Sequence, residues 1–345
     1  MPLGPCWAVR GRYAGCDLHA SCLPLLDPGC NPPALFSRAP EGHMRRTTGC
    51  GRWRRETEAG MVDAAAIKAL TGRDGRKAVL AILRDGMAIA ATIAFSVAIG
   101  NPLVTVACLW VIGAFQYALG DALLHEGAHG NLFQDRKLND RLDVLYGLPF
   151  LRTMASFKTE HLRHHGQLGR DGDYLVRDYR EFGLDGPHSP VVVWFLRPLL
   201  GWPAWYYLRR IAHYPPACLR RLALAWGGAL ALAAVAGVLP QFLLYWVLPL
   251  LWCRYAYFYW SEIADHHNTR GGTRTRLNRL VNWIQHNKGY HAAHHRFPAV
   301  PWFNLPAAHD ELDGADPDDL SGGPLDTWRQ IRRGGASLAG QAAAG

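Results

Sequence analysis

Three groups of closely spaced histidines stand out in the sequence, and we call them histidine boxes. They are His125 with His129, then His161, His164 and His165, and finally His291, His294 and His295. Spacings of three and four residues place side chains on one face of a helix, and neutral imidazole is a common ligand of transition metals. With 16 histidines in 345 residues, chance alone gives HxxxH about 0.7 times and HxxHH about 0.03 times. The two HxxHH copies therefore predict a metal centre, whereas the first pair alone does not.

Four apolar segments must position these histidines. They cover residues 79–100, 102–124, 222–239 and 241–260. Each is close to the roughly 20 residues that a helix needs to cross a ~30 Å hydrocarbon core, and each is apolar on all sides. Short uncharged joints, Asn101-Pro102 and Pro240, indicate two helical hairpins. We predict an all-α integral membrane protein: four transmembrane helices in two hairpins, with a cytoplasmic helical cap and interfacial helices that contain the boxes.

The basic residues predict the orientation of these helices. Lysine and arginine are frequent in residues 125–220 and 270–288 and absent from both hairpin tips. By the positive-inside rule, the boxes lie on the cytoplasmic side of an inner or plasma membrane. Residues 191–214 mix Trp and Tyr with Arg and two prolines, which favours a position along the interface over a fifth crossing. The net charge of +9 is thereby explained without a nucleic-acid partner.

The remaining segments complete the predicted organisation. Residues 1–60 are rich in Gly, Pro, Arg and Cys without apolar periodicity, which indicates a disordered or non-native N-terminal extension. Residues 61–77 are predicted to form an N-terminal cytoplasmic helix, 78–312 the membrane domain, and 313–345 a flexible C-terminal tail. The eight cysteines have neither the spacing of a disulfide framework nor that of a zinc ribbon.

The order of the boxes, each beyond a helical hairpin, resembles the integral-membrane fatty acid desaturase and hydroxylase superfamily. The third box continues as "NKGYHAAHHRFPAVPWFNLPAAH", which is similar to the usual ending of that superfamily. The resemblance covers about residues 78–312 and implies a di-iron centre. It implies nine ligands, the ninth being His266 at the end of the fourth segment, with His267 as its alternative. These are His125, His129, His161, His164, His165, His266, His291, His294 and His295.

Carboxylates beside the boxes are candidates for supporting roles. Glu126, Glu262 and Asp265 are the predicted catalytic or supporting groups, and Asp121 and Asp173 are further candidates. Each is expected to accept the free N–H of a ligating imidazole, which fixes the tautomer and raises the basicity of the ring.

Other histidines are weaker candidates. His286 and His309 flank the third box, whereas His188 and His213 lie in loop or interfacial sequence and are not expected to take part.

The resemblance implies an O₂-dependent desaturase that introduces a double bond into a fatty acyl or similar amphiphilic chain. The cofactors would be two iron ions, with O₂ as co-substrate. The sequence contains no HPGG stretch, Cys₄ pattern or GxGxxG, so an external ferredoxin or cytochrome-type donor with its reductase is implied.

Several alternatives remain open. They are a carotenoid- or alkane-type hydroxylase or ketolase, a small-molecule desaturase of the dihydrorhizobitoxine type, and a metal transporter. A transporter predicts ligands near the bilayer midplane. A seven-span zinc amidase is disfavoured because only four apolar segments are present.

Overall fold

Helices dominate the computed structural model, which describes residues 56–57, 60–61, 63–186, 188–312 and 316–332. The α-helices are α1 (Ala64–Leu70), α2 (Gly75–Ile99), α3 (Pro102–Tyr117), α4 (Leu123–Ala128), α5 (Arg136–Arg141), α6 (Asp143–Tyr146), α7 (Met154–Gly166), α8 (Tyr174–Phe182), α9 (Arg197–Leu199), α10 (Trp202–Ile211), α11 (Pro216–Val235), α12 (Leu239–Phe242), α13 (Tyr255–His266), α14 (Arg279–Ile284), α15 (His291–Arg296), α16 (Leu305–Asp310) and α17 (Pro324–Arg332). Short 3₁₀ segments are Leu148–Phe150, Trp302–Asn304 and Pro317–Asp319, and π-helical segments are Ala118–Ala122, Val192–Leu196, Leu243–Val247 and Leu250–Arg254.

The β-structure of the described residues consists of two pairs of two-residue strands. β1 (Glu56–Thr57) and β2 (Gly60–Met61) are antiparallel, and β3 (Thr275–Arg276) pairs in parallel with β4 (Leu320–Ser321). This small content agrees with the predicted all-α class.

The first hairpin is encoded by its caps. Asp74 accepts a hydrogen bond from the Arg76 N–H at the start of α2, and Gly100 ends that helix in the left-handed region at φ 63°. Asn101 then caps α3 by accepting from the backbone N–H groups of residues 103 and 104, with Pro102 in its first turn. The predicted joint at Asn101-Pro102 is therefore a cap-to-cap turn between two antiparallel helices.

Three helices of the described chain are long and apolar enough to cross a membrane. They are Gly75–Ile99, Pro102–Ala128, which includes the first π-helical segment, and Pro216–Val235. Their apolar side chains point outward, with Met87 64% and Val235 88% exposed. A soluble core would not leave such side chains in water, so these helices identify an integral membrane protein.

The fourth predicted segment differs from the other three. Residues 239–266 form one unbroken helical run, yet this run is not among the helices that meet the length and composition of a span. It contains Pro240, Pro249 and Arg254 together with many aromatic side chains, which lower its mean hydropathy. It also contains two of the four π-helical segments.

The stretch predicted to lie along the interface is broken rather than continuous. Gly201 has φ 74° and separates the turn after α9 from α10. Val191, Phe195 and Leu199 are exposed on its first half. No membrane-crossing helix is found in this part of the described chain.

The terminal segments differ from their predicted boundaries. The helix expected over 61–77 is shorter, because α1 ends at Leu70 and residues 75–77 already belong to α2. Residues 1–55 lie outside the described residues, so the expected disorder there stays a prediction.

The expected flexible tail 313–345 is instead structured over residues 316–332. There β4 pairs with β3, and α17 buries Thr327 and Ile331. The two strands are far apart along the chain, and a parallel pairing between such distant residues has no local sequence signal. This explains why the pairing was not predicted.

Small residues let the first box approach the second. A Cβ on Gly120 would lie 2.2 Å from the Phe150 ring, and one on Gly127 would lie 2.8 Å from Met154. Phe150 and Met154 directly precede the box on α7 and are buried in the same core cluster. Glycine therefore allows the helix ending in box one to pack directly against the start of α7.

Candidate metal centre

The three boxes converge at the ends of four helices. Box one lies at the end of α4, box two in the last turns of α7, box three on α15, and His266 is the last residue of α13. One nitrogen from each of five rings lies within 4.8 Å of the others, namely His125, His129, His161, His165 and His294. A second such group is His164, His266 and His295. His291 joins the second group, because its Nε2 is 2.8 Å from Nε2 of His266.

The two groups are in contact with each other. The rings of His165 in the first group and His295 in the second group stack with centroids 4.1 Å apart. All nine predicted ligands are thus brought together, divided five and four.

These residues fit metal ions. Nε2 of His129 is 2.8 Å from Nε2 of His161, and Nε2 of His165 is 3.1 Å from that of His294. Nε2 of His125 is buried without a hydrogen-bond partner. Buried polar atoms are normally satisfied, and ring nitrogens that converge on one point without a partner are what a bound cation satisfies. Nine imidazoles are more than one zinc ion can use, because zinc takes about four ligands.

Burial keeps the imidazoles neutral. It lowers the pKa of His161, His291 and His294 well below the ordinary value, and neighbouring imidazoles lower these pKa values further. The pKa of His165 is lowered to about 2 by the same causes. A neutral ring presents a lone pair, which is the form that binds a metal ion.

Two rings of the second group are oriented by acceptors. Nδ1 of His164 is 2.9 Å from Oδ1 of Asp173, and Nδ1 of His266 is 2.8 Å from the carbonyl oxygen of Gly272. Each contact directs Nε2 towards the cluster. Burial would raise the pKa of Asp173, but hydrogen bonds from His164 and from two backbone N–H groups lower it below its usual value. The predicted imidazole contact is therefore present for Asp173.

Glu126 makes a different contact from the one predicted. Its Oε2 accepts from the backbone N–H of Trp302 at 3.0 Å and from the Asn131 amide at 3.3 Å. Its nearest imidazole nitrogen is Nδ1 of His125 at 3.4 Å. Glu126 therefore joins box one to the segment that follows box three.

Glu262 and Asp265 also bind groups other than imidazoles. The Tyr174 hydroxyl donates to Oε2 of Glu262 at 2.7 Å. Asp265 accepts a hydrogen bond from Lys288 at 2.8 Å and forms an ion pair with Arg276 at 2.9 Å. The prediction that these two carboxylates accept from a ligating imidazole was wrong. Basic or hydroxyl donors from other segments occupy them instead.

A buried ion pair was missed by the sequence analysis. Asp121 lies 2.7 Å from Nε of Arg254 and 3.6 Å from Nε of Arg152, and Arg254 is fully buried. Asp121 therefore pairs with arginine and not with the predicted imidazole. The signal was Arg254 itself, because a charge inside an apolar segment is a functional candidate by default.

A small cavity reaches the cluster. It has a volume of about 20 Å³ and is lined by Phe157, Phe258, Glu262 and Lys288 together with box histidines. This is room for about one water-sized molecule. Phe157, His161, Tyr174 and Phe258 also line an adjoining cavity of about 30 Å³, in which Arg152, Glu160 and Arg210 are the charged groups.

The other histidines lie away from the cluster. His267 contacts the rings of Tyr179 and His188, which leaves His266 as the ninth member. His286 is 2.7 Å from Oδ2 of Asp85, and His309 lies against Tyr290. His213 belongs to neither histidine group.

Comparison with known proteins places the chain in a family. The fatty acid desaturase family matches residues 100–322. A sphingolipid delta(4)-desaturase/C4-monooxygenase from Homo sapiens is 31% identical over 199 residues, which are 53% of this chain and 58% of the human protein. A beta-carotene ketolase from Paracoccus sp. is 26% identical over 61% of this chain and 81% of its own. A chloroplastic omega-6 fatty acid desaturase from Brassica napus is 22% identical over 54% of this chain and 49% of the Brassica protein.

The chain belongs to the fatty acid desaturase family. The resemblance inferred from the boxes is confirmed. The matched region spans less than two thirds of the human sphingolipid desaturase.

Proposed function

We propose that the protein is an O₂-dependent desaturase that introduces a double bond into a fatty acyl or similar amphiphilic chain. The observation that supports this most is the convergence of nine buried or half-buried imidazoles, divided five and four, at the ends of membrane-associated helices. Desaturation consumes O₂, two electrons and two protons and removes two hydrogen atoms as water. A site for this reaction needs ligands, a proton source and a way in for an apolar chain.

The nine histidines would hold two iron ions, which supply O₂ activation when bound. Tyr174 and Glu262 are placed to supply a proton, because the tyrosine hydroxyl donates to Glu262 Oε2 and both side chains line the small cavity. Lys288, on the same cavity wall, contributes a fixed positive charge because Asp265 raises the pKa of its amine, outweighing burial, which lowers it. Phe157 and Phe258 exclude water from the carbon to be oxidised.

The adjoining cavity indicates how an amphiphile enters. It is lined by the aromatic pair Phe157 and Phe258 and by Arg152 and Arg210. Arg210 is paired with Asp178 at 2.8 Å and with Glu160 at 3.3 Å. Because these charges are already balanced, we propose an uncharged polar head such as an amide or ester.

We propose four membrane crossings, with residues 239–266 as the fourth. The histidines then share the cytoplasmic side, and Asn101 and Pro240 lie at the opposite surface. Single cysteines at residues 101, 170, 240 and 272 in a cysteine-depleted chain test this with a membrane-impermeant thiol reagent. Positions 170 and 272 should react from one side and 101 and 240 from the other. Reaction of 170 and 272 from opposite sides would contradict the topology.

The electrons are proposed to come from a separate ferredoxin or cytochrome-type donor with its reductase. Protein purified from cells that were grown with iron should contain about two iron ions per chain and little zinc. The protein is then supplied with donor, reductase and O₂ in membranes of a host whose lipids have been profiled. Mass spectrometry of these lipids should show a product that has lost two hydrogens. A product that has gained one oxygen would assign hydroxylation or ketolation instead. Stoichiometric zinc without iron, or metal uptake into vesicles without O₂ consumption, would contradict the proposal.

A further inference from the structure

A second, larger cavity lies on the other side of α13 from the metal centre. It has a volume of about 310 Å³, within the usual ~300–1,000 Å³ range of small-molecule sites. Its lining comes from α13, from the segment 276–285, from the interfacial Trp194 and from α17. Residues 257, 260, 261 and 264 of α13 line it, whereas 258, 262 and 266 line the small cavity beside the histidines. At 3.6 residues per turn these two sets lie on nearly opposite faces of the helix.

The second cavity is apolar with a polar end. Trp194, Tyr257, Trp260 and Ala264 provide the apolar walls. At the polar end, Gln285 is 8% exposed and its Oε1 has no hydrogen-bond partner. The carboxamide orientation of a glutamine is interchangeable by a flip, so Gln285 is able to present either its oxygen or its NH₂ group.

Arg276 supplies a donor at the same end. Its side chain is 12% exposed and pairs with Asp265, but its Nε–H is buried without a partner. Asp265 also pairs with Lys288 at 2.8 Å. Lys288 and Glu262 both line the small cavity on the other side of α13, so Arg276 is the charged side chain that lines the second cavity. An unpaired buried donor on a guanidinium group favours an anionic acceptor such as a carboxylate.

The surroundings of the cavity indicate where such a ligand comes from. Leu280 is 65% exposed and Trp283 56% exposed on α14, and Leu325 is 58% exposed beside Pro324. Phe195 is exposed next to Trp194. An apolar rim with tryptophan is typical of a surface in contact with the bilayer interface. An amphiphile dissolved in the bilayer therefore has direct access.

We propose that this cavity is a binding site for a long-chain carboxylate from the membrane, distinct from the site of oxidation. The carboxylate accepts from the Arg276 Nε–H and from Gln285, and the first part of the chain lies along Trp194, Tyr257 and Trp260. The ligand is not oxidised there, because α13 separates it from the histidines. This inference goes beyond the proposed reaction and does not depend on it.

The test is photolabelling of the purified, iron-loaded full chain with a dodecanoate analogue that contains a diazirine in its chain. α17 and residues 281–285 belong to the second cavity alone, whereas α7 belongs to the small cavities alone. We expect label on α17 or on residues 281–285. Excess unlabelled dodecanoate should remove this label, and dodecanol should be a much weaker competitor.

Two variants and a matched control sharpen the test. Val281→Phe fills the cavity and should reduce label on α17 more than about tenfold, because added side-chain volume clashes with the chain. Gln285→Leu removes one hydrogen bond to the carboxylate and should reduce it about fivefold. Val235→Phe makes the same change at an exposed position and should have no effect.

Iron content is measured for every variant, and it should equal that of the wild type, which separates loss of the ligand from loss of the fold. Label confined to α7, or label on α17 that Val281→Phe leaves unchanged, would overturn the site. Equal competition by dodecanol would overturn the carboxylate as its ligand.

Discussion

The two faces of α13 have opposite properties. One face presents Phe258, Glu262 and His266 to a cavity of about 20 Å³ lined by imidazoles and charged groups. The other presents Tyr257, Trp260 and Ala264 to an apolar cavity of about 310 Å³. The first face, which we call the metal face, adjoins the imidazole nitrogens but little empty space. The second, which we call the apolar face, adjoins a large cavity whose unpartnered polar groups are Nε of Arg276 and Oε1 of Gln285. Asp265, between the two faces, binds cations from the segment that leads to box three.

If both proposed sites are correct, one helix separates the oxidation reaction from the binding of the carboxylate. A tight, dry site confines an oxidant to the atoms that are meant to react. A roomy apolar site beside the bilayer holds a chain without exposing it to that chemistry. Substitutions on the two faces should therefore affect different measurements.

The largest effect is expected from the histidines of the metal face. His164→Ala and His294→Ala should each lower turnover to below about 1% of wild type, because even groups that only orient a metal ligand are worth 10–100-fold. Turnover and iron content are measured together. His188→Ala and His213→Ala, outside both clusters, should keep most of the activity. Equal losses at all four positions would indicate damage to the fold rather than loss of metal.

The next effect concerns the buried ion pair between Asp121 and Arg254, the residue immediately before α13. Arg254→Met leaves Asp121 buried with only the more distant Arg152, and should lower the free energy of unfolding by about 3 kcal/mol. Denaturant unfolding in detergent micelles measures this. The double variant Asp121→Asn/Arg254→Met should recover most of the loss. A double variant that is as unstable as the sum of both single changes would show that the two side chains are not coupled.

A smaller effect is expected from the carboxylate that orients His164. Asp173→Asn keeps the size of the side chain but weakens the hydrogen bond, and should reduce iron affinity or activity about 10- to 100-fold. Iron titration with a competing chelator provides the measurement. Asp171→Asn, an exposed carboxylate in the same turn, is the matched control. Similar affinities for both variants would remove Asp173 from the metal centre.

The smallest effect belongs to the apolar face. In delipidated protein, Gln285→Leu should raise the free energy of unfolding by about 1 kcal/mol, because it removes a buried polar group that has no partner. Turnover should stay within about twofold of wild type. A destabilised variant would mean that Gln285 already has a partner, and a large loss of turnover would mean that the two faces of α13 are not independent.

The sequence predicted which histidines cluster because the spacing within each box is local. His266 was the predicted ninth ligand with His267 as its alternative, and the structure brings His266 into the cluster. Asp173 follows the box in a tight turn, and its contact with His164 spans nine residues. Such contacts depend on helix and turn geometry, which composition and spacing encode.

The contacts that the sequence did not predict join distant segments. Asp265 meets Lys288 and Arg276, and β3 pairs with β4 across more than 40 residues. Neither contact has a periodic signal. Arg254 did have a sequence signal, because it is a charged residue within an apolar segment. Its partner Asp121, however, is 133 residues away. Residues 316–332 are likewise ordered by tertiary packing, because β4 pairs with β3 and α17 buries Ile331.

The contact between Glu126 and the backbone of Trp302 has a consequence for biosynthesis. These two residues are 176 positions apart, and box three is needed by both groups of histidines. During synthesis, the first two boxes are therefore complete long before their remaining partners exist. A half-built set of imidazoles binds copper or zinc more tightly than ferrous iron, following the general order of affinities. If the metal is the proposed iron, copper or zinc would be favoured until the last box folds into place, and correct loading would depend on the supply of free metals in the cell.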